Sequence, residues 1–247
     1  MSRVLIADDN KNMTLTFSNF LTKEKNIEII GIVNNGVDAL NTYFEKKPDV
    51  LLLDLDMPKM NGLEVIEKLS NDVQEKKKNN IIVISGALEK LRPYNTSQVY
   101  RVMQKPIDHS QLLTFINEIQ DNIDDEILEI KINEVLAKLK ITDSTLKGTD
   151  YLKKAIFYCY KNDEMHKNIT LAYEQIARDY FLKKIKPKNV LWSLESLIDV
   201  YDKYIDKRFL NSFFLGYDFT KNLTPKYLVD LIVTYLKSTL KNEKMVE

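Results

Sequence analysis

The sequence predicts an N-terminal α/β domain with a doubly wound parallel sheet, followed by an all-α domain. Two observations support this prediction. Short β-branched runs alternate with amphipathic helical segments as far as about residue 120, and beyond that point only helical periodicity remains. A length of 247 residues also suits two domains better than one. We therefore expect one domain at residues 1–121, a linker at 122–131 and a helical domain at 132–247. The acidic sequence of the linker could equally be an extension of the preceding helix.

Five short apolar runs are the predicted strands of the first domain: Val4–Ala7, Ile27–Val33, Val50–Leu53, Ile81–Ile84 and Tyr100–Met103. Segments with apolar residues at helical spacing separate them, for example Leu63, Ile66 and Leu69. Short connections between such elements imply right-handed crossovers, so the strands should run parallel with helices on both faces. The sequence thus predicts five strands and five helices in residues 1–121.

Composition excludes several classes of protein. The 36 Lys and Arg residues balance the 36 Asp and Glu residues, so any nucleic acid or membrane partner must be met by a local patch. Cys159 is the only cysteine, which rules out an intrachain disulfide and a zinc site built from cysteines. No apolar stretch approaches the roughly 20 residues of a membrane span. We expect a soluble, cytoplasmic protein with no membrane partner.

Polar residues close four of the predicted strands. Asp8 and Asp9 follow the first strand and Asp54 the third, while Ser85 ends the fourth and Lys105 follows the fifth. Ligands of doubly wound sheets bind beyond the carboxyl ends of the strands, so these side chains should meet at one edge. Taken singly, each could instead be a helix cap, a turn residue or a surface cation.

Three carboxylates brought together repel one another unless a cation neutralises them. Hard oxygen ligands favour Mg²⁺, with Ca²⁺ or Mn²⁺ as alternatives. A carboxylate beside such an ion can attack a phosphoryl group in line, with a lysine and a hydroxyl holding the transferred oxygens. Of the three, Asp54 is best placed to be that nucleophile.

Residues 54–62 read Asp-Leu-Asp-Met-Pro-Lys-Met-Asn-Gly, and with the two upstream aspartates and the downstream Lys-Pro pair they resemble the receiver domains of response regulators. The resemblance implies that Asp54 is the phosphoacceptor for a phosphohistidine donor, either a histidine kinase or a phosphotransferase. It further implies that Lys105 and Ser85 bind the phosphoryl group, Ser85 as the switch hydroxyl. The implied metal ligands are Asp8, Asp9, Asp54 and the main-chain carbonyl of Asp56.

Two features depart from the receiver pattern. Receivers usually carry an aromatic switch residue three positions before the lysine, but Val102 stands there, and Tyr100 is the nearest aromatic residue. The stretch between Ser85 and Lys105 is also shorter than usual, and Pro93 interrupts its helical segment. We expect a short or irregular fourth receiver helix and a switch that does not depend on ring rotation at position 102.

The helical half resembles the effector domain of the sporulation master regulators of spore-forming Firmicutes. The resemblance rests on short stretches: Lys147-Gly148, Tyr151–Ile156, Tyr160–Asp163, Ile176-Ala177 and Gly216-Tyr217. It implies a transcription factor that pairs as a homodimer when phosphorylated and binds promoter DNA through a helix-turn-helix. Its targets would be sporulation or related stationary-phase genes.

In this interpretation residues 169–180 form the first helix of the motif and residues 188–204 the recognition helix. Six residues are predicted DNA contacts: Lys183, Lys184, Lys186, Lys188, Asn189 and Ser193. The recognition helix has no arginine, and its Glu195 and Asp199 would repel phosphates. Trp192 is predicted to be buried, with an exposed anchor for a protein partner as the alternative.

The poor recognition helix supports a second hypothesis. The helical half could keep the family scaffold but bind protein, which would make the chain a phosphorylation-dependent signalling adaptor or antagonist. Beyond the acidic edge the sequence shows no further set of catalytic residues. It therefore predicts that the protein is not an enzyme.

Overall fold

The computed structural model describes residues 1–72, 80–86, 99–142, 147–180, 184–202, 210, 213–214 and 222–243. Within these residues the chain divides into two compact units, Met1–Asp124 and Asp125–Glu247. The first unit is a parallel α/β structure and the second is helical. The predicted fold class is confirmed.

The described part of the first unit contains five strands: β1 (Ser2–Ala7), β2 (Ile27–Val33), β3 (Val50–Leu53), β4 (Ile81–Ser85) and β5 (Val99–Gln104). Their order is β2-β1-β3-β4-β5 and every neighbouring pair is parallel. All residues of β3 and β4 are buried, as expected for central strands covered on both faces. The strand order reverses between β1 and β3, which places the ligand-binding edge of this fold at their carboxyl ends.

Three helices accompany the first strands: α1 (Lys11–Leu21), α2 (Gly36–Lys46) and α3 (Gly62–Asn71). Each begins after an asparagine whose side chain accepts a backbone N–H of the first turn. At α3 the Asn61 cap is completed by Glu64, which accepts the Asn61 N–H. A Cβ at Gly62 would lie 2.2 Å from the main-chain oxygen of Asp54, so glycine lets α3 start directly against the end of β3.

A single helix, α4 (His109–Lys138), runs from the first unit into the second. The predicted linker, residues 122–131, lies within this helix, and its acidic residues extend the helix instead of interrupting it. Sequence reasoning left this alternative open because charge-rich segments carry little conformational information. The predicted fourth receiver helix and Pro93 lie outside the described residues.

The described part of the second unit is completed by five helices: α5 (Lys147–Lys161), α6 (Asp163–Lys167), α7 (Ile169–Asp179), α8 (Pro187–Asp202) and α9 (Pro225–Glu243). They share one apolar core that includes Leu152, Ile176 and Leu194. A Cβ at Gly148 would lie 2.5 Å from the Ser193 carbonyl oxygen, so α5 and α8 cross in close contact there. Among the described residues, no helix has the length and apolar character needed to cross a membrane.

Candidate functional site

The acidic cluster, defined as Asp8, Asp9 and Asp54, lies where the strand order reverses. Each residue offers a carboxylate oxygen, and these oxygens lie within 4.8 Å of one another. Asp8 and Asp54 are buried, whereas Asp9 is exposed. The main-chain N–H of Asp54 donates to the Ala7 carbonyl at 2.8 Å, which joins the ends of β1 and β3. The sequence argument that strand ends would bring these aspartates together therefore agrees with the structure.

Lys105 is the counter-ion of the cluster. Its Nζ lies 2.9 Å from Oδ2 of Asp8 and 2.9 Å from Oδ2 of Asp54. The Lys105 N–H also donates to the carbonyl of Ser85 at 3.0 Å, so the end of β4 holds the lysine backbone in place. One ammonium group thus bridges two buried carboxylates at the edge of the sheet.

Burial raises the pKa of Asp54 above its usual value, and the negative charge of Asp8 adds to this effect. The hydrogen bond from Lys105 acts in the opposite direction without cancelling the rise. For Lys105 burial alone would lower the pKa, but the hydrogen bonds to Asp54 and Asp8 outweigh it and the pKa is raised. The site therefore disfavours the ionised form of Asp54 and favours the protonated ammonium of Lys105.

The donor set of the acidic cluster fits a divalent cation. Carboxylate oxygens are the ligands that Mg²⁺ and Ca²⁺ prefer, and Asp9 is open to solvent for water ligands. The predicted fourth ligand comes from Asp56, which is exposed in the turn after β3. These features support a hard divalent cation without identifying which one.

Ser85 and Val102 lie on the two strands that hold Lys105. Ser85 ends β4, is fully buried, and pairs in register with Gln104 of β5. Val102 on β5 is 41% exposed, so this position presents an aliphatic side chain to solvent.

Tyr100, the aromatic residue nearest in sequence to Val102, is hydrogen-bonded to a residue of α4. Its hydroxyl donates to Oε2 of Glu118 at 2.9 Å, and the guanidinium of Arg101 lies 4.3 Å from the centre of the Tyr100 ring. The Arg101 guanidinium also lies 3.5 Å from the same Glu118 oxygen. Sequence reasoning missed this cluster because Glu118 lies 18 residues from Tyr100 and no pattern links them.

The predicted DNA contacts are clustered around the start of α8. Lys184, Lys186, Lys188 and Asn189 are exposed, whereas Ser193 is half-buried and its Oγ donates to the Asn189 carbonyl at 2.9 Å. Lys183 lies outside the described residues. Four of the six predicted contacts are thus accessible to a ligand.

Trp192 is 56% exposed, so the prediction that it is buried was wrong. The buried face of α8 consists of Val190, Leu194, Leu197 and Ile198, and Trp192 lies on the opposite face. The Lys188 ammonium lies 5.3 Å from the centre of the Trp192 ring, within the range of a cation–π contact. Exposed Glu195 and Asp199 lie on the same helix.

Comparison with known proteins places the similarity in the first unit. Residues 4–117 match the family model of the response regulator receiver domain. A curated relative from Bacillus subtilis strain 168, the protein-glutamate methylesterase/protein-glutamine glutaminase, is 48% identical over 69 residues, which cover 28% of this chain and 19% of that protein. The match thus spans less than a fifth of that relative.

Solved structures are similar over about half of the chain. The response regulator domain of Thermotoga maritima CheB is 22% identical with a TM-score of 0.41, covering 49% of this chain and 97% of that one. A CheY-like receiver domain from Methanospirillum hungatei JF-1 is 24% identical with a TM-score of 0.44, covering 51% and 98%.

These relatives correct one prediction and leave another without support. The prediction that the chain is not an enzyme was wrong to exclude enzymatic activity. The curated relative with which the chain shares 69 residues is named as a methylesterase and glutaminase. The resemblance of the helical half to sporulation regulators gains no support from these relatives, and the family model matches residues 4–117 only.

Proposed function

Residues 4–117 match the family model of the response regulator receiver domain, and from this match we propose that Asp54 accepts a phosphoryl group and thereby controls the helical unit. The observation that carries the proposal is the pair of 2.9 Å contacts from Lys105 to Asp8 and Asp54 beside exposed Asp9. This arrangement provides a carboxylate nucleophile, a cation for phosphoryl oxygens and oxygen ligands for a metal ion. The division into residues 1–121, 122–131 and 132–247 remains part of the proposal.

In the proposed reaction a carboxylate oxygen of Asp54 forms a bond to phosphorus while the bond from phosphorus to the donor imidazole nitrogen breaks. The imidazole leaves with the bonding electron pair. Lys105 and the Ser85 hydroxyl would bind the transferred oxygens. The cation, held by Asp8, Asp9, Asp54 and the Asp56 carbonyl, would neutralise charge on the phosphoryl group. Mg²⁺ is the proposed ion, with Ca²⁺ or Mn²⁺ as alternatives.

Removal of the metal tests this proposal directly. Incubation of the full chain with acetyl phosphate and Mg²⁺ should form an acyl phosphate, detected as an added phosphoryl mass on the intact protein. Excess chelator should abolish this uptake, because the clustered carboxylates then repel the incoming phosphate. Equal uptake with and without chelator would contradict the proposed metal site.

For the helical unit we propose DNA binding through the start of α8, with transcription of sporulation or related stationary-phase genes as the output. The exposed residues Lys184, Lys186, Lys188 and Asn189 follow α7 and begin α8, as they would in a helix-turn-helix. Phosphorylation would favour a homodimer and so bring two copies of this helix to paired half-sites.

Selection of bound sequences from a random DNA pool tests the DNA hypothesis. The phosphorylated full chain should enrich a defined motif, and a double variant with Lys188→Ala and Asn189→Ala should lose it. A Lys186→Ala variant, which removes one of the lysines proposed to contact phosphates, should reduce the magnitude of the slope of log affinity against log salt by about 1. A Lys167→Ala variant, which removes an exposed lysine elsewhere in the unit, is the matched control.

A second function is favoured by a specific observation. Trp192 is 56% exposed beside Glu195 and Asp199, and an exposed tryptophan is a common anchor of protein interfaces. If a folded, phosphorylated chain enriches no DNA motif, the adaptor or antagonist hypothesis replaces DNA binding as the output.

A further inference from the structure

One face of α4 carries apolar side chains that are not buried in the core of the second unit. Leu128, Ile132 and Leu136 are buried on the core side. On the opposite side Ile127 is 42% exposed and Ile130 is 58% exposed. Both are large β-branched residues, and they lie three positions apart, so they form a continuous apolar patch on one face of the helix.

The two isoleucines have the spacing of the a and d positions of one heptad. If Ile127 and Ile130 occupy the a and d positions, the next a and d positions are Glu134 and exposed Ala137. We call these four residues the α4 stripe. The stripe is limited to one side of the helix, because the opposite side is packed in the core of its own unit. It therefore suits one partner helix.

The charges beside the stripe indicate which partner and which direction. Glu126 precedes the first a position and Lys131 follows the first d position. In a parallel pair of identical helices these positions face each other across the seam, so Glu126 of each copy meets Lys131 of the other, twice by symmetry. In an antiparallel pair the same two positions lie on opposite sides of the seam.

We propose that two copies of this chain associate through the α4 stripe as a parallel helix pair, with Ile127 and Ile130 at its centre. This inference rests on the proposed function, because it identifies the contact surface of the homodimer that phosphorylation is proposed to favour. Glu134 would face its symmetry mate across the seam, and within each helix it lies 3.7 Å from Lys131. This like-charge pair opposes association and so limits the strength of the dimer.

Sedimentation velocity of the full chain at several concentrations tests the contact. Ile130→Glu should weaken dimerisation by about tenfold or more, because it places a charge at a position that the proposed helix pair would bury. Glu134→Leu should strengthen dimerisation by a similar factor, a gain that misfolding cannot mimic. Ile32→Glu, which changes an isoleucine of the receiver that is 47% exposed, should leave association unchanged. Unchanged association in both stripe variants would overturn the proposal.

Cysteine cross-linking tests the direction. The native Cys159 is fully buried, so an Ile130→Cys thiol should be the reporter in mild oxidant. A disulfide between two Ile130→Cys copies supports the parallel pair. Cross-linking only when Ile127→Cys is mixed with Ile130→Cys would overturn it. Phosphoryl uptake, measured on the same variants, separates the dimer proposal from the phosphoacceptor proposal. If the unmodified chain takes up phosphoryl groups normally but forms no dimer, only the proposed contact through the α4 stripe is refuted. If the unmodified chain takes up none, the proposal that Asp54 is the phosphoacceptor is refuted.

Discussion

Replacing Asp54 with Asn should reduce phosphoryl uptake from acetyl phosphate to background. The amide removes the nucleophilic carboxylate oxygen and keeps the side-chain shape, so the loss reports chemistry and not misfolding. The main-chain contact from Asp54 to Ala7 at 2.8 Å is unaffected by the substitution. Intact-mass spectrometry after incubation with acetyl phosphate and Mg²⁺ measures the outcome.

The matched control for this substitution is Asp121→Asn, which makes the same chemical change at an exposed position of α4. It should accept as much phosphoryl group as the unmodified chain. If the Asp54→Asn chain takes up phosphate stoichiometrically and loses it slowly at neutral pH, another residue is the acceptor and the proposed site is refuted.

Replacing Lys105 with Ala should destabilise the metal-free receiver by about 3 kcal/mol at neutral pH. The change leaves two buried carboxylates without their shared counter-ion, and breaking a buried pair in this way costs roughly 3–5 kcal/mol. The lower end applies because the Lys105 side chain is 24% exposed. Calorimetry or far-UV circular dichroism should be used, since the single tryptophan, Trp192, reports only on the second unit.

The stability difference between Lys105→Ala and the unmodified chain should depend on pH. The pKa of Asp54 is raised in the folded state, so ionising it costs stability as the pH rises from the unfolded value of 3.8 through the folded one. The pKa of Lys105 is also raised, so the stability that its charge provides is complete below 10.5 and is lost as the pH rises through the folded value. The difference should therefore be largest near neutral pH and shrink at both ends.

Mg²⁺ should restore much of the stability lost in the Lys105→Ala chain, because a bound cation neutralises the same carboxylates and stabilises the folded state. Its stabilising effect should exceed that on the unmodified chain, where Lys105 competes for Asp8 and Asp54. Lys68→Ala, which removes an exposed lysine of α3, controls for the loss of one positive charge. If the Lys105→Ala chain and the unmodified chain were equally stable at every pH, the contacts of Lys105 would contribute nothing to the stability of the receiver.

The sheet and the acidic cluster were predictable because both follow from local patterns. Each predicted apolar run coincides with an observed strand or lies inside it, with ends that differ by at most two residues. A buried parallel strand needs an unbroken apolar run, and the first polar residue after it must lie at the sheet edge. That rule alone brings Asp8 and Asp54 together.

Other features were beyond such patterns. The exposure of Trp192 depends on the rotation of α8 about its axis, which is set by how Val190 and Leu194 pack in the core. The bond between Tyr100 and Glu118 joins residues of two different elements. The continuity of α4 through residues 122–131 depends on packing of Leu128 in the second unit, which its charged neighbours do not reveal.

The sequence by itself determined the two-part architecture, the five strands and the aspartates at the strand ends. These features depend on periodicity and strand direction, which short segments encode. Only the tertiary structure decided that Lys105 bridges Asp8 and Asp54, that Trp192 faces outward and that Ile127 and Ile130 remain exposed on α4. Each of these depends on contacts between residues far apart in the chain, and the packing of whole elements fixes such contacts.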